Sequence, residues 1–382
     1  MPAELSHEAT EQLARARAHM TGRRDWGKAR RALERAARAG AEAARADLAM
    51  VHAYGFGIKA DFDHARALLI EAAQTGHGPA LRQLAVFADG AGDAGLALAL
   101  LAHAAQAGDV LAQCLLGRRL LAQDPAQGRH WLGRAAAAKH ALAVYLMKGQ
   151  PAADQAPPPP PALDGLDWAR LAQADLATPG PVQVQPVAKL PLIKLLKAAF
   201  SPAECAYIQA LAACHLRPSD VIDPDTGRIV VDPYRTGFQA QLVPDLADVV
   251  IAAIDARLAA LTDTRVKQGE SLTVLVYQPG QEYKPHWDHL VDTADEKLSR
   301  LKASGQRLYT ALITLDDGFA GGATAFTDIG VQVRGQVGDV LLFRNLNDRG
   351  KPDALTMHAG LPVEAGVKWL ASKWIRERNF AL

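Results

Sequence analysis

The sequence predicts a multidomain protein: an all-α helical-repeat solenoid first, then an α+β double-stranded β-helix, or jelly roll. Three observations carry this reading. Residues 1–150 are rich in Ala, Leu and Arg and poor in β-branched residues, a composition that favours helices. A run of prolines then breaks the chain. From about residue 186 the helical pattern gives way to short alternating runs punctuated by Gly, Asp and Asn. The domains expected are 1–150, a proline-rich linker over 151–185, and 186–382.

The first segment contains a repeat. Ala29-Arg-Arg-Ala-Leu33-Glu-Arg-Ala36-Ala37-Arg-Ala-Gly40 recurs at Leu69 with Ala72, Ala73 and Gly76, and at Leu101 with Ala104, Ala105 and Gly108. A weaker copy has Leu132, Ala135 and Ala136, with Lys139 in place of the terminal Gly. The Leu positions are offset by 36, 32 and 31 residues. Leu and Ala at i, i+3 and i+4 form one apolar helical stripe, and the Gly fits a C-cap with positive φ. Such helix pairs bury their stripes by stacking. The segment resembles the Sel1-like branch of tetratricopeptide repeats, with Tyr54-Gly55-Phe56-Gly57 and Asp61 and Asp63 matching its Gly-rich turn.

Pro157 to Pro161 are consecutive prolines, which read as a stiff, extended spacer. Residues from there to about Gln185 look irregular, apart from a short helix around Leu166 to Asp175. Ser201-Pro202-Ala203-Glu204 reads as a helix start, and Asp248 to Leu261 as a second helix. Strands are expected at Leu272–Tyr277, Leu308–Leu315, Val331–Arg334, Val340–Phe343 and Trp369–Ile375.

Bulk properties narrow the function classes. The net charge of +1 gives no reason to expect nucleic acid as a partner. Cys114, Cys205 and Cys214 are too few and too scattered for a disulfide framework or a zinc site, and read as buried thiols. No secretory signal or membrane-spanning run is visible, so a cytoplasmic protein with no membrane partner is expected.

His286-Trp287-Asp288 places an imidazole and a carboxylate two residues apart, on one side of an extended chain. A neutral nitrogen with an anionic oxygen suits a borderline divalent metal, and a third ligand would complete a facial triad with open positions. His358 is the one histidine after His289, and a jelly roll could fold it back onto the pair. His289 would point away and reads as a supporting or surface group.

The residues around this pair form an ordered string: Tyr277 to Asp288, Arg307-Leu-Tyr-Thr310, Gly321-Gly322-Ala-Thr324-Ala-Phe326, Gly338 to Phe343, and His358 to Lys368-Trp369 with Lys373-Trp374. The string closely resembles the prolyl 4-hydroxylase family of 2-oxoglutarate-dependent dioxygenases, from about residue 190 to the end. The resemblance implies His286, Asp288 and His358 as catalytic iron ligands, 2-oxoglutarate and O2 as cosubstrates, and ascorbate as a reductant. It also implies that Lys368 pairs with the far carboxylate of 2-oxoglutarate. A tyrosine common in the family is Thr314 here, so the hydroxyl assisting Lys368 is either Thr314 or Thr324. Tyr277 is implied as pocket-lining, and Arg235 and Trp374 as substrate-binding; the loop Val221 to Arg235 matches a family region that holds peptide.

The leading functional expectation is hydroxylation of a prolyl residue in a protein or peptide, with the repeats recruiting it. One alternative is oxidation of a free amino acid or natural product. Another is a repeat scaffold carrying a sensing or weakly active oxygenase domain.

Overall fold

The computed structural model describes residues 5–21, 24–151, 158–222, 229–231, 234–290 and 303–380, with the side chains of 220–222 and 229–231 outside the description. Much of the Val221 to Arg235 loop, and Pro157, therefore lie outside the described residues. The chain divides into two compact units, Met1–Thr178 with Pro244–Ile254, and Pro179–Val243 with Asp255–Leu382.

The first unit is a run of antiparallel helices: His7–Thr21, Trp26–Arg38, Glu42–Tyr54, Phe62–Gln74, Gly78–Gly90, Ala94–Gln106, Val110–Leu120, Pro125–Ala137 and Ala141–Leu146. The repeated Leu is buried in all four copies, and Ala36, Ala72, Ala104 and Ala135 are fully buried. Each copy ends in the C-cap expected. Gly40, Gly76 and Gly108 have φ of 89°, 86° and 91°, and Lys139 takes the same left-handed region at 64°. Two reverse amide bonds close each end, for example Gly40 N–H to Ala37 O at 3.0 Å and Ala41 N–H to Ala36 O at 2.9 Å. No atom crowds a Cβ at Gly40 or Gly108, so backbone conformation alone selects glycine there. The start of the repeat is as regular. Asp25, Asp61, Asp93 and Asp124 each accept an N-terminal helix N–H, in step with the repeated Leu.

The residues after the proline run do not stand clear of this unit. His103 Nε2 lies 2.5 Å from Pro161 O, Arg66 donates to Ala174 O at 2.7 Å, and Arg170 pairs with Asp93 at 2.9 Å. Leu171 and Leu176, around the short helix Trp168–Ala172, are buried. The part of the expected linker that follows the prolines is thus seated on the repeat helices. The segment Pro244–Ile254 joins the same unit. Buried Gln83 accepts the Val249 N–H at 3.0 Å, at the start of the helix Val249–Leu261. Cys114 and Cys205 are buried as expected, whereas Cys214 is exposed.

The second unit is built on two sheets. The major sheet has the order Gln183–Ala188, Ile193–Lys197, Val340–Arg344, Arg307–Thr314, Lys368–Arg376, Leu272–Tyr277, Phe238–Leu242 and Arg217–Pro218, with every pairing antiparallel. The minor sheet has the order Val331–Val333, Thr324–Phe326, His358–Gly360 and Tyr283–His286. One buried cluster joins Ile193, Leu195, Leu312, Leu341 and Phe343 of the major sheet to Phe326 of the minor one. A second gathers Leu275, Tyr277 and Leu370 with Phe319 and Val363. The jelly-roll expectation is met, and all five strands expected from alternation are present within a residue or two.

Helix Pro202–Ala213 covers this unit. Ser201 caps it and Glu204 returns the bond in a full capping box, as the Ser-Pro-Ala-Glu start predicts.

Candidate active site

The site forms where the minor sheet faces the middle of the major sheet. Period-two alternation selects the lining. Lys368, Leu370, Ser372 and Trp374 point from one strand, and Leu275 and Tyr277 from its neighbour, into a cleft of about 440 Å3. His286, Asp288, His358, Tyr283, Arg235 and Thr324 complete its wall.

His286 and His358 are direct cross-strand partners on adjacent antiparallel strands, with ring centroids 4.3 Å apart. Asp288 follows two residues after His286. Its Oδ1 lies 3.8 Å from His286 Nε2, and its Oδ2 3.6 Å from His358 Nε2. Among the described residues this is the one group of three or more His, Cys, Asp or Glu side chains whose ligand atoms lie within 4.8 Å of one another.

The hydrogen bonds orient all three for a metal. His286 Nδ1 is 2.8 Å from Lys284 O, and His358 Nδ1 is 2.9 Å from Thr356 O. A carbonyl only accepts, so each Nδ1 carries the proton and each Nε2 keeps its lone pair for the centre. Thr310 Oγ1 donates to Asp288 Oδ2 at 2.8 Å, and Asn345 Nδ2 donates to Thr310 Oγ1 at 3.0 Å. Thr310 and Asn345 are fully buried. Burial, reinforced by neighbouring His358, pushes the His286 pKa down to about 4, so its imidazole is neutral at physiological pH. Burial works against the Asp288 charge, but the two imidazoles, Arg307 and Thr310 outweigh it and hold its carboxyl below the usual range. Two imidazoles and one carboxylate with buried support fit a divalent metal, with room left in the cleft for further ligands.

Lys368 sits directly across from Tyr277, with Nζ 5.6 Å from that ring. Its side chain is 3% exposed, and burial alone lowers its pKa to about 8. No ion pair to it is found among the described residues. A buried ammonium without a counter-ion fits an anionic ligand entering the cleft. Thr324 lines this cleft with Lys368, whereas Thr314 lines an adjoining cavity of about 310 Å3 that shares Lys368, Thr324, Leu312 and Leu370 as its wall. His289 is half-buried, lies outside the triad and has an unbonded Nδ1.

Sequence reasoning missed the buried ion-pair group behind Asp288 and Trp374. Glu270 Oε1 lies 2.8 Å from Arg307 Nε and 2.9 Å from Arg376 Nε. The Arg307 guanidinium is 3.8 Å from the Trp374 ring and donates to Asp288 O at 3.3 Å. Arg307 and Thr310 stood in the motif string without a role. Glu270 and Asn345 lie between strands, and nothing local marks them.

The matching family model is the 2OG-Fe(II) oxygenase superfamily, over residues 272–376. Prolyl 4-hydroxylase 1 of Arabidopsis thaliana is 34% identical over 225 residues, covering 55% of this chain and 78% of that one. Prolyl 4-hydroxylase subunit alpha-2 of Gallus gallus is 38% identical over 179 residues, 47% of this chain and 33% of that longer one. The viral collagen prolyl hydroxylase structure from Paramecium Bursaria Chlorella virus-1 shares 24% identity, covering 48% of this chain and 95% of that one, with a TM-score of 0.37. A Sel1 repeat protein structure from Oxalobacter formigenes shares 28% identity over 33% of this chain and 56% of that one, with a TM-score of 0.31. The chain belongs to the prolyl 4-hydroxylase family of 2OG-Fe(II) oxygenases, and carries repeated helices ahead of that domain. Family membership implies an Fe(II) enzyme that consumes 2-oxoglutarate and O2. Among the described residues no helix is long and apolar enough to cross a membrane.

Proposed function

We propose that the protein hydroxylates an unactivated C–H bond of a prolyl residue in a protein or peptide, with the helical repeats recruiting that substrate. The observation that carries the reading is a supported His-Asp-His group sharing one cleft with a buried Lys368 that has no ion pair among the described residues. His286, Asp288 and His358 hold Fe(II) through Nε2, a carboxylate oxygen and Nε2. When bound, the iron and 2-oxoglutarate supply the oxidising chemistry that replaces C–H by C–OH, releasing succinate and CO2.

The chain's own groups bind, orient and exclude water. Lys368 holds the far carboxylate of 2-oxoglutarate, with Thr324, which shares the cleft, as the assisting hydroxyl in preference to Thr314. Leu275, Tyr277, Leu312 and Leu370 make the walls apolar, which strengthens that charge pair. Arg235 and Trp374 face substrate. A peptide fits this lining better than a free amino acid. Among the described residues Asp288 is the one carboxylate lining the cleft, so none of them is left to receive a substrate ammonium.

The reading is tested by 2-oxoglutarate turnover with and without proline-containing peptides. Peptide-stimulated succinate formation with one oxygen gained on proline supports it. Turnover stimulated only by free amino acids, or none at all, contradicts it.

A further inference from the structure

We propose that the chain's own proline run, Pro158–Pro161, is a modification site: a substrate of the oxygenase centre of a second copy of this protein. This rests on the prolyl hydroxylation proposed above, and goes beyond it by naming an acceptor.

The first support is the polarity of the cleft. Among the described residues lining it, the buried polar atoms left without a hydrogen-bond partner are Arg235 Nε, Arg235 Nη2 and Trp374 Nε1. All three are donors. Arg235 is 8% exposed, so these nitrogens cannot rely on bulk water. An ordinary extended peptide brings an N–H with almost every carbonyl. Consecutive prolines bring carbonyls alone, because the ring nitrogen has no hydrogen. Unpartnered donors in the wall and a chain that brings carbonyls without N–H groups are complementary, and the chain strands no donor of its own.

The second support is the state of the run itself. Pro158–Pro161 belong to no helix or strand, and Pro158, Pro159 and Pro161 are exposed. Consecutive prolines hold the extended polyproline conformation without internal hydrogen bonds, so little conformational entropy is lost when an aromatic-walled groove takes them up. Tyr277, Tyr283 and Trp374 supply such walls beside the metal ligands. Pro161 O meets His103 Nε2, whereas Pro158 and Pro159 are exposed, which makes these two the more accessible acceptors.

The step balances with the family's own co-reactants. One proline C–H becomes C–OH with one atom of O2, the second oxygen atom enters succinate, and 2-oxoglutarate is oxidised with loss of CO2.

The test mixes unlabelled wild-type protein, Fe(II), 2-oxoglutarate and air with an isotope-labelled full-length acceptor that cannot catalyse, His358→Ala. Lys368→Ala serves as a second acceptor should the first fail to fold. Free poly-L-proline is assayed in parallel. The expected result is one or more oxygens gained by the labelled fragment holding Pro158–Pro161, at a rate that rises with acceptor concentration and needs 2-oxoglutarate. A labelled acceptor with Pro158→Ala, Pro159→Ala, Pro160→Ala and Pro161→Ala should gain none, while wild-type turnover is unaffected. An unmodified run alongside hydroxylated poly-L-proline overturns this inference and leaves the proposed function standing. Oxygen gained equally by the four-alanine acceptor also overturns it. No hydroxylation of either substrate removes both.

Discussion

Thr310 and Asp288 are joined by a 2.8 Å hydrogen bond in which a fully buried hydroxyl donates to the carboxylate oxygen nearer His358. Asn345 in turn donates to that hydroxyl, so it has one proton and one direction in which to place it. The bond holds the carboxylate in the orientation that leaves Oδ1 for a metal. Thr310→Val keeps the shape and removes the donor. It should weaken Mn(II) or Fe(II) binding by roughly 10–100-fold, the usual effect of losing such support. Thr310→Ser should recover most of the loss. Calorimetric titration of the metal measures this. Equal affinity in Thr310→Val and wild type would separate the bond from metal binding. In the same titration His358→Ala should lose the metal, and His289→Ala should retain it.

Lys368 should cost the empty protein stability. Its folded pKa of about 8 lies below the ordinary 10.5, so between these values the unfolded chain binds more protons and stability rises with pH. The penalty is fully present below pH 8 and is relieved as pH climbs toward 10.5. Its scale is on the order of 3 kcal/mol. Lys368→Met should therefore be more stable than wild type at pH 7 in urea unfolding without 2-oxoglutarate. The gap should narrow at pH 9.5. A constant gap across that range would remove the charge as its cause.

The same ammonium sets the pH dependence of cosubstrate binding. The dianion binds the protonated form, so affinity should be flat below pH 8 in the empty protein and fall about tenfold per unit above it. His286, neutral above about pH 4, should leave metal affinity unaffected by its own protonation from pH 6 upward. Parallel anaerobic titrations of metal and 2-oxoglutarate at pH 6 to 9.5 would show the two profiles diverge.

The repeats offer a stability test of their own. Lys139 holds the left-handed C-cap that Gly40, Gly76 and Gly108 hold elsewhere. A side chain there is strained by about 1 kcal/mol or somewhat more. Lys139→Gly should raise the thermal midpoint of the helical unit, and Gly76→Ala should lower it. No change in either would mean that these caps do not limit unfolding.

The sequence showed some of this architecture more clearly than the rest. The Leu-Ala-Ala-Gly repeat is local, and its physics of one stripe and one cap reads directly. The strands Leu272–Tyr277 and Lys368–Arg376 are long and alternating, and hence legible, and with them the cleft positions Tyr277, Lys368 and Trp374. The strands Tyr283–His286, Thr324–Phe326 and His358–Gly360 have only three or four residues, too few for a period to register, although the first and last carry the two histidines of the metal group. Gln183–Ala188 was hidden by Pro186, which an edge strand tolerates. That Thr324 and Thr314 line different cavities beside Lys368 is a matter of tertiary packing that no single strand displays. The roles of Glu270 and Asn345 depend on partners 37 and 35 residues away, so no window of sequence contains them.

The central claim is that the metal group and Lys368 together form a 2-oxoglutarate site. The most direct measurement is titration of 2-oxoglutarate into Mn(II)-loaded wild type and Lys368→Ala without oxygen. Losing one partner of a buried ion pair typically costs ~3–5 kcal/mol. The Lys368→Ala dissociation constant should therefore rise by roughly a hundredfold to a few thousandfold, with metal still bound. An unchanged dissociation constant would place Lys368 outside the cosubstrate site and contradict the account.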